Sequence, residues 1–318
     1  MIPPVTRFSV LQTEDLDPAA AAWLRESCDL TACHFSDPGF DALLAKADAA
    51  VVRTYTRVDA AFLDKAPRLK VVGRAGVGLD RIDVAECRRR GIEVVHTPDA
   101  NTQAVAEYVF AMLFDGLRPR RFLTQAIPQD QWNRTRRELE AINQLSELTL
   151  GILGMGRVGS RVARIAAGLG MEVLYNDLVD IPEGRRAGAR PTDLEDLLYR
   201  ADILSIHIDS RPANRAFVNA ALLAKLRKTV IIVNTSRGLV VDAAALAAFL
   251  RATPTAKALI DVHDPEPFGG DYPLLHLPNA YLSPHLAAST ATAHVNMSWV
   301  VKDVWRVLNG EKPVHPAP

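Results

Sequence analysis

The sequence predicts an α/β protein built on doubly wound parallel sheets, and three observations carry that prediction. Short apolar runs alternate with helix-length patterns along most of the chain. One run, Val230-Ile231-Ile232-Val233, is apolar without alternation, as in a strand covered on both faces of a parallel sheet. The stretch Leu148 to Asp177 reads as a strand, a glycine turn, a helix and a second strand ending in an acid. With 318 residues, 48% of them hydrophobic, the chain can hold two ordinary domains, each with its own core.

In order, Phe8 to Leu11 reads as a strand, Ala19 to Arg25 as a helix, Ala49 to Val52 as a strand and Ala60 to Leu63 as a helical turn. Leu69 to Val72 follows as a strand and runs into Gly73-Arg74-Ala75-Gly76-Val77-Gly78-Leu79-Asp80. That turn has two readings: a tight strand-to-helix connection, or a set of backbone N–H groups that holds an anion such as a carboxylate. Val84 to Arg90 reads as a helix ended by Gly91, and Ile92 to Val95 as a strand that stops at Thr97-Pro98, where a domain boundary is expected. Asn101 is a good N-cap for a helix carrying Val105, Val109, Met112 and Leu113 on one face until Pro119 disturbs it. From Arg118 to Ser146 the chain is polar and arginine-rich, with Trp132 as its large apolar group, and is expected to form an exposed arm. After the glycine turn come a helix at Leu194 to Leu198, a strand at Ile203 to Ile208, a helix at Ala220 to Leu226, the Val230 to Val233 strand, a helix at Ala243 to Leu250 and a strand at Ala258 to Val262.

The glycine turn is the most informative stretch. Strand Thr149 to Leu153 leads into Gly154-Met155-Gly156-Arg157-Val158-Gly159, and Val162, Ile165, Ala166 and Leu169 then recur at helical spacing up to Gly170. Strand Glu172 to Tyr175 follows, with Asp177 at its tip. This is a dinucleotide fingerprint in its proper setting: Gly154 makes the tight turn, Gly156 lets the backbone approach a pyrophosphate, and Gly159 lets helix and strand pack closely. A pyrophosphate would sit on the N–H groups that open the helix, including those of Met155, Arg157 and Val158. Asp177 is placed to accept from the adenosine ribose and to repel a 2′-phosphate, which favours NAD over NADP; Arg185 and Arg186, nearby in sequence, weaken that preference.

Ligands of open parallel sheets bind outside the carboxyl ends of the strands, where His207, Arg237 and Asp261 are expected to face one crevice. Two more segments carry candidate chemistry, Asp261-Val262-His263-Asp264-Pro265-Glu266-Pro267 and Leu282-Ser283-Pro284-His285-Leu286. Glu266 lies between prolines and His285 follows one, so both are held. Reducing a carbonyl requires a proton donor that titrates near neutrality, the natural task of a histidine, and a neighbouring carboxylate orients its ring. Arg237 can grip a substrate carboxylate with two prongs and polarise the adjacent carbonyl. His263 is a weaker candidate, one residue past the strand tip, for shaping a nicotinamide pocket. The remaining histidines have no companion pattern.

Lys plus Arg balances Asp plus Glu at 37 each, so no net field draws the protein to nucleic acid or an anionic membrane. Cys28, Cys33 and Cys87 are odd in number and lack CxxC spacing, which argues against a disulfide framework and a zinc site and fits a reducing, cytoplasmic setting. Met1 to Val10 has no apolar core of a signal peptide, and no run approaches a membrane span, so a soluble, unprocessed chain with no metal is expected.

From Ala49 to Gly310 the chain resembles the D-isomer-specific 2-hydroxyacid dehydrogenase family. The matching stretches are Gly73 to Asp80, Asn101-Thr102 with Ala104 to Glu107, the fingerprint, Asn234-Thr235-Ser236-Arg237-Gly238, Asp261 with Glu266-Pro267, and Ser283-Pro284-His285. The resemblance implies catalysis by Arg237, Glu266 and His285, with Asp261, His207, Thr235 and Ser236 beside the cofactor, and substrate held by Arg237, His285 and the backbone at Gly76 and Val77. It implies a Rossmann nucleotide domain, 101–286, inserted into a discontinuous flavodoxin-like substrate domain, 1–100 plus 287–318, with the active site between them. It also implies a homodimer. The arm departs from the family pattern, lacking the usual glycine just before the nucleotide-domain strand. Tyr55 stands where many relatives carry a small residue, and reads either as a pocket wall or as a partly buried surface aromatic. The expected activity is hydride transfer between NAD(H) and a small 2-oxo or D-2-hydroxy acid, in a chain without an appended regulatory domain. Two rival readings are an NAD-sensing binding protein of the corepressor kind and a dehydrogenase of the same layout acting on another small anion.

Overall fold

A strand with apolar residues at consecutive positions must be covered on both faces, and both sheets of this protein are built that way. The computed structural model describes residues 7–118 and 120–318. Residues up to Asn101 together with Ser289–Pro318 form one unit, and Thr102–Ala288 form the other.

In the first unit β1 (Phe8–Gln12), β2 (Cys28–Ala32), β3 (Ala49–Val52), β4 (Val71–Arg74) and β5 (Glu93–His96) make an all-parallel sheet in the order β2-β1-β3-β4-β5. That is the doubly wound order of flavodoxin-like sheets. Side chains alternate strictly between two cores. Val10, Ala49, Val51, Val71 and Val95 face helices Pro18–Ser27 and Val301–Leu308. Leu11, Ala50, Val52, Val72 and Val94 face the helices that carry Phe40, Leu44, Phe62, Leu63 and Cys87. Each fully buried Val or Leu contributes roughly 1.5–3 kcal/mol relative to exposure, so the C-terminal helix, with Val301, Val304 and Leu308 buried, is integral to this sheet. Asp17, Asp59 and Asp83 cap three of the helices through backbone N–H groups.

β4 begins at Val71, two residues later than expected, because Leu69 lies in the turn whose N–H donates to Ala66 O. Tyr55 is 64% exposed. Its backbone is held by Glu14, whose carboxylate accepts N–H bonds from Arg53, Thr54, Tyr55 and Thr56 at 2.9–3.1 Å and the Thr56 hydroxyl at 2.9 Å. Burial pulls the Glu14 carboxyl upward, and the N–H groups of Thr56, Tyr55 and Arg53 with the Thr56 hydroxyl outweigh it, leaving it below its usual value. A folded pKa below the unfolded one stabilises above the unfolded value and is lost as pH falls through the folded one. Glu14→Gln turns an amide NH2 toward the donors. It should cost on the order of 1–2 kcal/mol at pH 7, after allowing for partial exposure, with the gap closing below about pH 4.5. Urea unfolding at both pH values checks this; equal midpoints at pH 7 would remove Glu14 as the anchor of that loop.

In the second unit β6 (Thr149–Leu153), β7 (Glu172–Asn176), β8 (Arg190–Pro191), β9 (Ile203–Ile206), β10 (Ile231–Asn234), β11 (Lys257–Ile260) and β12 (Ala280–Leu282) form an all-parallel sheet ordered β12-β11-β10-β9-β6-β7-β8. Leu150, Ile152, Ile203, Val233 and Leu259 face helices Thr102–Leu117 and Arg157–Gly168. Leu153, Leu204, Ile206, Ile232 and Ile260 face helices Leu194–Arg200 and Ala243–Ala252. The strand order reverses direction at β6, between β7 and β9, and the carboxyl ends there form the crevice in which such sheets bind ligands.

The helix after Asn101 ends at Leu117, and Pro119 lies outside the described residues. The exposed arm contains a helix, Gln129–Glu138, none of whose residues is buried. Among the described residues no helix is long and apolar enough to cross a membrane.

Candidate active site

Most of the chemistry expected from the sequence gathers at the carboxyl ends of β6, β7, β9, β10, β11 and β12 in the second unit. Gly154 follows β6 with φ +93°, and a Cβ there would lie 2.9 Å from the His207 carbonyl, so the turn after β6 and the loop after β9 cross at the reversal point. A Cβ on Gly159 would fall on the Gly154 carbonyl oxygen, which explains a third glycine in the helix's first turn. Met155 buries its side chain in the core and presents only main chain to the turn. Arg157 is exposed and Val158 half-buried.

Asp177 follows β7. One oxygen accepts the Met155 N–H at 2.6 Å and the other the Val179 N–H at 3.2 Å, which ties the acid to the glycine turn. Each oxygen retains acceptor capacity for a ribose hydroxyl. Of the two arginines expected to compete, Arg186 is engaged by Asp180 at 2.9 Å and by the Ile181 carbonyl, while Arg185 is exposed. A third was missed from sequence: Arg211, after β9, pairs with Asp209, and that pair, with a smaller contribution from the Asp177 charge, raises its already high pKa.

These residues fit a dinucleotide. The position a Cβ would take on Gly156 has no atom within 4 Å, the helix starting at Arg157 has no side-chain cap on its N–H groups, and the buried Thr235 hydroxyl oxygen has no protein partner among the described residues. His207 Nε2 bonds Ser205 Oγ at 2.8 Å, burial pushes its pKa down to about 4, and its main chain shapes the turn.

After β10, Asn234 organises the loop that carries Thr235, Ser236 and Arg237. Its Oδ1 accepts from Ser236 N–H at 3.0 Å and Ser236 Oγ at 2.8 Å, and its Nδ2 donates to Arg237 O at 3.0 Å. Arg237 is half-buried and its Nη1 donates to Ser236 O at 2.7 Å. A Cβ on Gly238 would collide with the His263 carbonyl, so the Arg237 loop is seated directly against the backbone that leads to Glu266.

After β11, Asp261 is fully buried and its carboxylate is used by three donors: Ser283 Oγ at 2.5 Å, Leu286 N–H at 2.8 Å and Ala287 N–H at 2.9 Å. Its carbonyl accepts the His285 N–H at 2.9 Å. Asp261 therefore braces the His285 loop. His285 itself sits at φ +56°, an uncommon conformation for a non-glycine residue, which orients its ring. His285 Nδ1 and Glu266 Oε2 are 2.8 Å apart, and the other Glu266 oxygen accepts the His263 N–H at 2.7 Å. Burial pulls the Glu266 carboxyl up, and the bonds from His285 and the His263 N–H outweigh it, holding it below its usual value. With Nδ1 committed to a carboxylate, Nε2 of His285 is the atom that can carry a proton to or from a substrate.

Gly76 and Val77 belong to the first unit. The Gly76 N–H donates to the Arg74 carbonyl at 2.8 Å, and Arg74 wraps the turn through the Ala75 and Gly78 carbonyls. The Gly76 N–H is thus already used within the turn.

Residues 110–287 match the family described as D-isomer specific 2-hydroxyacid dehydrogenase, NAD binding domain. The glyoxylate reductase of Aeropyrum pernix is 36% identical over 306 residues, covering 93% of this chain and 91% of that protein. The D-3-phosphoglycerate dehydrogenase of Archaeoglobus fulgidus is 35% identical over 267 residues, covering 83% of this chain; the matched part is 50% of that protein, so the chain spans about half the length of this relative. The crystal structure of an NADPH-dependent glyoxylate/hydroxypyruvate reductase from Sinorhizobium meliloti, in complex with NADP and malonate, aligns with a TM-score of 0.81 at 27% identity, over 98% of this chain and 97% of that one. The chain belongs to the D-isomer specific 2-hydroxyacid dehydrogenase family, and its second unit carries that family's NAD-binding domain.

Proposed function

We propose that this protein interconverts a small 2-oxo acid and its D-2-hydroxy acid with NAD(H), using His285 as acid and base, Glu266 as its partner and Arg237 as the grip on the substrate's carboxylate and carbonyl. The observation that carries this reading is the His285–Glu266 bond of 2.8 Å beside a loop that holds Arg237 against the same backbone. The nicotinamide would supply the hydride at the carbonyl carbon. His285 Nε2 donates the proton to the carbonyl oxygen in reduction and takes it back in oxidation. Glu266 orients the ring and balances the imidazolium charge. Arg237 opposes the charge that develops on oxygen. Asp261 keeps the His285 loop in place, and so holds the proton-transferring ring beside the proposed nicotinamide site. Gly76 and Val77 retain the proposed role of substrate contacts, with the Val77 N–H as the donor.

The reading extends to a homodimer in a cytoplasmic setting. It is supported by the helix Gln129–Glu138 with no buried residue, by exposed Phe122, Trp132 and Ile142 in the same arm, and by three cysteines that form no disulfide.

The test follows oxidation of NADH and of NADPH against glyoxylate, hydroxypyruvate, pyruvate and bulkier 2-oxo acids. Turnover of at least one acid is expected, with NADH the better donor; no turnover of any of them would favour the NAD-sensing protein instead. Asp177→Ala should weaken NADH on the order of tenfold, through loss of charge-assisted hydrogen bonds, and relax the preference. A wild-type protein that prefers NADPH would overturn this role of Asp177 and turn attention to Arg185, Arg186 and Arg211.

A further inference from the structure

His263 is a buried histidine that the mechanism above uses only through its backbone N–H, yet its ring is the most connected imidazole near the site. Nε2 lies 2.9 Å from the Ser283 carbonyl oxygen and Nδ1 lies 3.2 Å from the Tyr272 hydroxyl. A carbonyl can only accept, so Nε2 carries the hydrogen and Nδ1 accepts from tyrosine. Tyr272 keeps its proton for that bond: burial, with the Asp264 and Glu266 charges, pushes its pKa up to about 12. The ring is walled by Phe268, 4.6 Å away at 68°, and by Tyr272, 5.3 Å away at 87°, and those two rings stack on each other at 4.6 Å.

The partners of this ring lie on both loops of the acid–base pair. Ser283 precedes His285 by two residues, and its carbonyl also accepts the His285 N–H at 3.0 Å. His263 precedes Glu266 by three, and its own N–H holds a Glu266 oxygen. We infer that His263 is a positioning residue, whose Nε2–H clamps the Ser283 end of the His285 loop to the Glu266 loop and so fixes the Glu266–His285 pair. This rests on the acid–base reading of that pair. The charged and titratable groups around the clamp are Asp261 below the His285 loop, Glu266 and His285 themselves, Tyr272, and Asp264, which Arg215 pairs at 3.2 Å. Among the described residues, Tyr272 is the one of these groups that bonds the imidazole.

The test compares wild type, His263→Phe, His263→Gln and Tyr272→Phe, with Glu266→Gln as reference. His263→Phe keeps the aromatic packing and the backbone N–H but loses both ring bonds. It should lower kcat on the order of tenfold, leave NADH binding unchanged and move the pH limb for reduction in the same direction as Glu266→Gln. His263→Gln, whose side-chain amide can still donate to the Ser283 carbonyl, should recover part of the loss, and Tyr272→Phe should lose less than His263→Phe. The ring 15N spectrum of the wild type should show the Nε2–H tautomer, a readout that needs no turnover. A Nδ1–H tautomer, or a His263→Phe protein that loses only thermal stability while kcat and the limb stay put, would overturn the clamp. If instead the limb fails to move in Glu266→Gln, the acid–base reading is what falls, and the tautomer still reports on the clamp. Should His263→Phe not fold, the Gln and Tyr272→Phe variants carry the same comparison.

Discussion

Arg237→Ala should lose on the order of a hundredfold or more in kcat/KM on whichever 2-oxo acid the protein reduces best, the size typical for removing a donor aimed at developing charge. Asn234 ties the loop from within and Gly238 leaves no room between it and the His263 carbonyl, so the guanidinium starts from a fixed base and little of its binding energy is spent on ordering. Arg237→Lys keeps the charge but replaces a planar fork with a single flexible ammonium, and a carboxylate that was gripped at two oxygens is then held at one. The lysine variant should therefore lie between wild type and alanine, with most of its loss in kcat/KM. NADH binding should be unchanged in both. Steady-state kinetics on the preferred acid check this, and an alanine variant within a few-fold of wild type would take Arg237 out of the site.

Legibility in the sequence followed the range of the interactions. The glycine turn and its two strands were readable because strand, turn and helix there are dictated by neighbours in sequence, and β6 starts and stops at the expected Thr149 and Leu153. β2 was not readable: at the edge of its sheet only Cys28 of its five residues is buried, so no alternation marks it. The helix Gln129–Glu138 was hidden for a related reason, since a helix with no buried face leaves no apolar stripe to find. That Arg237 and Asp261 lie just past the ends of their strands was legible by position, but what holds them was not. Asp261 was placed at its strand tip, while its three donors lie more than twenty residues away. His263 meets ring partners nine and twenty residues on, and Glu14 captures a loop about forty residues later. Asn234 could have been recognised, because an Asn side chain that accepts from the residue two positions on is a local turn device.

The same distinction between a residue and its support governs the pair His285 and Glu266. His285→Ala should abolish most turnover in both directions, because it removes the imidazole that bonds Glu266 and, on the proposed reading, carries the proton. The pH dependence tests the pair more closely. Reduction needs the ring protonated, to give a proton to the carbonyl oxygen, and oxidation needs it neutral, to accept one, so the two directions should show opposite limbs governed by one group. The Glu266 carboxyl lies below its usual value, so it stays charged across the range in which a histidine titrates and contributes a constant field. Glu266→Gln keeps a hydrogen-bond acceptor of the same shape but removes the charge, so the limb for reduction should move to lower pH and the limb for oxidation should move with it, while NADH binding changes little. The measurement is kcat/KM against pH in both directions for wild type and Glu266→Gln. Superimposable profiles would mean that Glu266 does not act on His285, and a shift to higher pH would mean that its charge is not what the ring feels.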